Sequence, residues 1–168
     1  MSELSFRERT GTFLSTVSLV LWSGGLMLMG ALVARHVFLG SGLPREAAAA
    51  VMAPLFLGFD RWIGVLMLML IAGEFLRVGA RPRTPGMFGI SAVLLLAAVC
   101  LGAVSILQVD PQIEILRRAG VHRGVGDEGM RFERLHRRSE AFAKGQVVVC
   151  LGLLGYMWFG PSGRVEEE

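Results

Sequence analysis

MFGISAVLLLAAVCLGAVSILQV, residues 87–109, carries no charged side chain at any position. The hydrocarbon core of a bilayer is about 30 Å thick, and a helix rising about 1.5 Å per residue crosses it in roughly 20 residues. A helix also satisfies its own backbone N–H and C=O groups, which lipid cannot do. The stretch therefore reads as a transmembrane helix. Working outward, three more stretches qualify. Residues 13–37 run FLSTVSLVLWSGGLMLMGALVARHV, with no charge before Arg35. Residues 55–77 follow, with a lead-in from Val51, and residues 139–160 close the series with Lys144 near their start.

The expected fold is all-α: a polytopic membrane protein with one integral membrane domain over residues 1–168. It is a four-helix transmembrane bundle with a helical, Gly-hinged third loop. A hydrophobic fraction of 53% and a mean hydropathy of +0.56 exceed what soluble domains usually carry. Four spans and their connections leave little chain for anything else. The first span follows Arg7 and Arg9 as a signal peptide would, but its apolar run exceeds the roughly 7–15 residues of a cleaved signal. It is expected to be retained.

Cys100 and Cys150 both lie inside apolar runs, where neither a disulfide nor a zinc framework is expected. The net charge of +3 is modest and resides in the loops. That suits orientation and anionic lipid head groups, and it points away from nucleic acid. Every basic residue except Lys144 is Arg, as in a GC-rich bacterial genome.

Four spans put both termini on one side. Arg7, Arg9, Arg77, Arg81, Arg83 and Arg164 belong to that face. Most of the remaining basic residues, from Arg35 and Arg45 to Arg137 and Arg138, belong to the other. Counted near the span ends, the basic residues favour long loops in the cytoplasm and termini outside, although the Arg81-Pro82-Arg83 cluster pulls the other way. In the first loop, Leu43-Pro44-Arg45-Glu46 reads as a Pro-started helix leading into an Ala run. In the third, Asp110-Pro111 reads as an N-cap with Pro at the first helical position. Residues 120–129 break that helix, and a second piece runs from Met130 into the last span. Gly124-x-Gly126-x-x-Gly129 has dinucleotide-fingerprint spacing, but no strand precedes it, so it reads as a hinge.

Phe132, Leu135, Ser139, Phe142 and Gln146 form one helical stripe; His136, Glu140 and Lys144 form another. The second stripe reads either as a proton relay or as an interfacial helix end with satisfied charges. Glu74 precedes Arg77 by three, an ion-pair spacing at the end of the second span. A Glu74 turned into the bundle would be the best candidate for a proton-coupled site. Asp60 stands beside Arg61 and could cap the helix that Trp62 continues. His36 and His136 lie at span ends on one face and could together ligate haem or a transition metal, yet each sits beside an Arg. Met27, Met29, Met67 and Met69 offer soft ligands for copper, but residues two apart on a helix diverge, so core filling is the better reading. Gly24, Gly25 and Gly30 in the first span, and Gly145, Gly152 and Gly155 in the last, are expected to allow close helix packing.

Several of these segments together resemble one family. Leu21-Trp22-Ser23-Gly24-Gly25 is similar to its Trp-x-Gly-Gly start, and Leu43-Pro44-Arg45-Glu46 to its first loop. Asp110-Pro111-Gln112-Ile113 sits where it has a Pro-initiated helix, and Phe132-x-x-Leu135-His136-x-x-Ser139 looks like its last-span motif. This is the four-span family of domain of unknown function 4149, which is related to eukaryotic transmembrane protein 205. The chain departs from it at Arg35-His36-Val37-Phe38, where Pro-x-x-Phe is frequent, and at Ala143-Lys144, near a usual Asn. The resemblance implies a fold and carries over no catalytic residue.

No catalytic motif is present in the sequence, and no cofactor or metal is expected. The expected role is non-enzymatic: an accessory or assembly subunit, or a homo-oligomer, working through helix faces and the third loop. Alternatives are a small proton-coupled transporter and a haem- or copper-binding redox protein.

Overall fold

The computed structural model describes residues 6–78 and 85–159, and within them the chain is helical apart from short turns. Helix α1 covers Phe6–Gly40 and includes two π-helical stretches, Leu28–Val33 and His36–Gly40. Helix α2 is Arg45–Val78. Helix α3, Pro85–Val104, passes through a π-helical turn, Ser105–Val109, directly into α4, Asp110–Arg118. Helix α5 is Gly126–Phe159. The four rods are near equal in length, and a 34-residue rod measures about 51 Å, well beyond the bilayer core. The surplus emerges as helix rather than loop. Each rod contains a run apolar enough to cross a membrane, in keeping with the four expected spans.

Two expected boundaries move. The Pro-started helix of the first loop begins at Arg45, with Ala48 N–H on the Pro44 carbonyl, and does not stop before the second span. It continues as one helix with Pro54 inside it, where proline removes a backbone donor and favours a bend. Asp60 is therefore mid-helix and is not a cap. Helix α5 starts at Gly126, four residues before Met130, with Asp127 and Glu128 in its first turn against the helix dipole. The glycine-rich break contracts to a turn closed by Val121 N–H on the Leu116 carbonyl and Gly124 N–H on the Gly129 carbonyl. Gly120 and Gly124 take the left-handed φ values of 71° and 77° that this turn requires. Arg81, Arg83 and Arg164 lie outside the described residues.

Helix α1 packs most extensively on α2 and then on α5, and α3 packs on α5. Helices α2 and α3 meet sparsely, so the bundle has one loose seam. The core joins Leu19 and Trp22 of α1, Leu66 and Leu70 of α2, Ala98 of α3 and Leu153 of α5. Beyond the spans, Leu116, Phe132 and Leu135 form a separate small core, with Ile113 and Val121 packed against it. That cluster holds α4 against the start of α5 as a helical hairpin.

Of the six glycines expected at close contacts, two have a neighbour. A Cβ on Gly25 would collide with the Phe59 ring, and one on Gly145 would touch Leu101 at 3.4 Å. Gly24, Gly30, Gly152 and Gly155 have no neighbour within 4 Å among the described residues. A close approach of two helix backbones lies elsewhere, at Gly11 and Gly73. A Cβ on Gly73 would sit 2.6 Å from Ser15 Oγ and 2.9 Å from the Gly11 carbonyl.

Candidate functional site

The polar side chains inside the bundle fall at three levels. At the termini end, the Gly11–Gly73 approach brings α1 and α2 together closely enough for side chains beside it to bond. Ser15 Oγ donates to Glu74 Oε1 at 3.0 Å, and the Arg77 guanidinium pairs with the same carboxylate. Glu74 is 4% exposed, so the expected ion pair forms, and it forms inside the bundle. One turn further along α1, Ser18 is buried with no hydrogen-bond partner among the described residues.

At mid-depth, Trp22 Nε1 donates to Gln146 Oε1 at 2.9 Å, both residues fully enclosed. The indole also lies on α3: a Cβ on Gly102 would be 2.9 Å from Trp22 Cζ2. One side chain thus links α1, α3 and α5.

At the far end, Asp110 accepts two hydroxyls, from Ser105 at 3.1 Å and from Ser139 at 3.2 Å. The π-helical turn explains the first bond. A π turn pairs residues five apart, and Asp110 N–H bonds the Ser105 carbonyl, which places the two side chains together. Asp110 is accordingly not the N-cap its sequence suggests; no side-chain cap bond forms at the start of α4. Asp60 and Arg61 of α2 share with Asp110 a cavity of about 400 Å³ in the loose seam.

The remaining candidates lie outside these levels. His136 is 3.3 Å from Glu140, and the exposed Lys144 makes no ion pair among the described residues. His36 lines a groove made by its own helix, between Leu32 and Gly40. Among the described residues no group of three or more His, Cys, Asp or Glu is arranged to hold a metal ion. Cys100 and Cys150 are both free thiols.

On the projecting hairpin, Glu114 holds Arg117 and Arg118 at 2.7 Å each, and Glu133 joins Arg123 and Arg137 at 2.8 and 3.0 Å. Hydrogen bonds from Arg117 and Arg118 hold the Glu114 carboxyl down to about 2. Those from Arg123 and Arg137 hold Glu133 below its usual range. Arg134 and Arg138 are exposed and have no acidic partner among the described residues.

Ser15, Ser105 and Asp110 were not legible in the sequence as site residues. Serine within an apolar helix is too common to stand out, and the five-residue spacing escapes a search at helical periodicity. Gln146 was visible as a member of the buried stripe, but its partner was not.

Four apolar helical rods tied together by buried polar pairs define a four-span helical membrane protein. The chain belongs to the family described as Domain of unknown function (DUF4149), whose model matches residues 17–122. The match takes in the first three spans and α4, and the Phe132-x-x-Leu135-His136 segment lies beyond it. No curated protein and no solved structure matched the chain.

Proposed function

We propose that the chain is a non-enzymatic accessory or assembly subunit of the bacterial cytoplasmic membrane, with the α4–α5 hairpin as its docking element. The observation that carries this reading is how its charges are disposed. Glu74 and Asp110 are each engaged by neighbouring helices, whereas Arg134 and Arg138 project from a hairpin that has its own small core, with no acidic partner among the described residues. A rigid element with exposed arginines is suited to an acidic surface on a partner protein, or to anionic lipid where it meets the membrane. The arginines of the hairpin also support long loops in the cytoplasm and termini outside. The test is gentle purification from the native membrane, with co-purifying proteins, metal content and an absorption spectrum recorded on one sample. A stoichiometric partner lost on Arg134→Glu/Arg138→Glu supports the reading; undiminished recovery overturns it. A Soret band would replace it with a haem protein and make His36 and His136 the first residues to mutate. A sample holding only this chain, at a fixed multiple of its mass, makes it a homo-oligomer.

One observation favours a second reading, small-scale proton-coupled transport: Glu74 is a carboxylate inside a membrane helix, where charge is functional by default. Flux abolished by Glu74→Gln with expression intact would establish it.

A further inference from the structure

We propose that the cavity between α2 and the α3–α4 rod binds the headgroup of a membrane phospholipid that carries a primary amine, an ethanolamine-type lipid, with its acyl chains along the α2/α3 seam. The cavity, about 400 Å³, lies within the usual size of small-ligand pockets. Its depth is that of a headgroup: Asp110 is the first charge after the uncharged run of residues 87–109, and Ser139 of α5 is tied to it. Its place in the fold fits a lipid, because α2 and α3 pack loosely and the cavity lies along that seam, between helices that each carry a membrane-spanning run.

The walls carry both signs of charge. Asp60, Asp110 and Glu114 face the cavity, and so do Arg61 and Arg118; Glu114 is already paired with Arg117 and Arg118. Asp110 is oriented by its two serine donors. Asp60 has no hydrogen bond or ion pair among the described residues, so it and Asp110 line one space with neither engaged in an ion pair there. Arg118 has Nε committed to Glu114, whereas Arg61 is exposed with no ion pair among the described residues. An ammonium between Asp60 and Asp110 and a phosphate on Arg61 would satisfy both sets at once. Leu57 and Ile106 supply apolar wall for the glycerol and upper acyl region.

The same walls select among headgroups. A quaternary ammonium donates no hydrogen bond and is usually held by aromatic faces, and among the described residues no aromatic ring lines this cavity. A glycerol headgroup brings no cation to relieve the two carboxylates. A primary ammonium offers three N–H donors to acceptors already in place.

The experiment is native mass spectrometry of the full delipidated chain, loaded with equal concentrations of phosphatidylethanolamine, its mono- and dimethyl forms, phosphatidylcholine and phosphatidylglycerol. Expected is retention that falls with each methyl added, with the ethanolamine lipid held about tenfold more than the choline and glycerol lipids. Asp60→Asn should bring the ethanolamine lipid down to the choline level without lowering the thermal midpoint, because Asp60 ties no helix to another. Equal retention across the methyl series would overturn the proposal, and that series needs no variant. So would undiminished retention in Asp60→Asn. Soluble glycerophosphoethanolamine competing as well as the lipid at equal concentration would refute a lipid occupant, since the seam would then contribute nothing.

Discussion

Trp22 donates its indole N–H to Gln146 across 124 positions of sequence, and both side chains are sealed from the bundle surface. The bond ties the first span to the last at mid-depth, where water is absent and an unpaired indole N–H has little else to bond. In lipid, interhelical hydrogen bonds are worth about 0.6 kcal/mol on average and at most about 1.7 kcal/mol. Gln146→Leu should therefore lower stability by roughly 1 kcal/mol, read as a lower midpoint in detergent-induced unfolding. An unchanged midpoint would mean that the tie contributes nothing.

Gly73→Ala should be damaging out of proportion to one methyl group. Its Cβ would arrive within 2.6 Å of Ser15 Oγ and 2.9 Å of the Gly11 carbonyl, and backbone cannot swing aside as a long side chain can. Forcing α1 and α2 apart should cost on the order of 1–3 kcal/mol. Gly24→Ala is the control. It meets nothing within 4 Å, and its improved helix propensity, up to about 1 kcal/mol, should leave stability unchanged or raised. Thermal unfolding of the two variants side by side should show a lowered midpoint for Gly73→Ala alone.

The Glu74–Arg77 pair should behave as a buried ion pair in a double-mutant cycle. Arg77→Leu alone removes the cation beside a carboxylate that is 4% exposed, and should cost roughly 3 kcal/mol. Arg77→Leu combined with Glu74→Leu should cost less than the two single changes summed, because the second change removes the charge that the first left behind. Strict additivity would show that the two side chains do not depend on each other.

Glu114, on α4 beyond the third span, provides a titration test. Its carboxyl is held down to about 2 by hydrogen bonds from Arg117 and Arg118, against an ordinary value of 4.5. A depressed value means that the folded state favours the charged form. The ion pairs' contribution is therefore complete above the ordinary value and disappears as pH falls through the folded one. Carbon-detected NMR of labelled glutamate should show Glu114 still ionised at pH 3. Arg117→Gln/Arg118→Gln should return its midpoint towards 4.5. The group is close to the surface, so salt should move its midpoint upward as well.

How far the sequence could be read depended on the range of each interaction. Spans, their number and the stripe of Phe132 and Leu135 were visible because hydrophobic length and three-to-four spacing are local properties; that Leu116 of α4 packs on that stripe was not. Glu74 with Arg77 was visible for the same reason, three residues apart on one helix. Asp60 looked like a cap because its neighbours change character there, yet nothing in the chain stops the helix and α2 runs on through it. Asp110 looked like a cap because Asp-Pro usually is one. The π turn before it extends the helix and turns the carboxylate towards Ser105 and Ser139 instead.

Glycine shows the division most clearly. Small residues permit close approach wherever they occur, so the sequence pointed to Gly24, Gly30, Gly152 and Gly155 and passed over Gly11 and Gly73. Which of them meet is a matter of how the rods are rotated about their axes, and that rotation is chosen by the whole bundle.

The sequence by itself determined that this is a helical membrane protein with four spans, because the bilayer demands length and self-satisfied backbone from each segment independently. Only the tertiary structure decided which polar atoms face one another. Trp22 with Gln146, Ser139 with Asp110, and the shared space of Asp60 and Asp110 each join different helices, and no local pattern specifies the rotation and depth at which those helices come to rest.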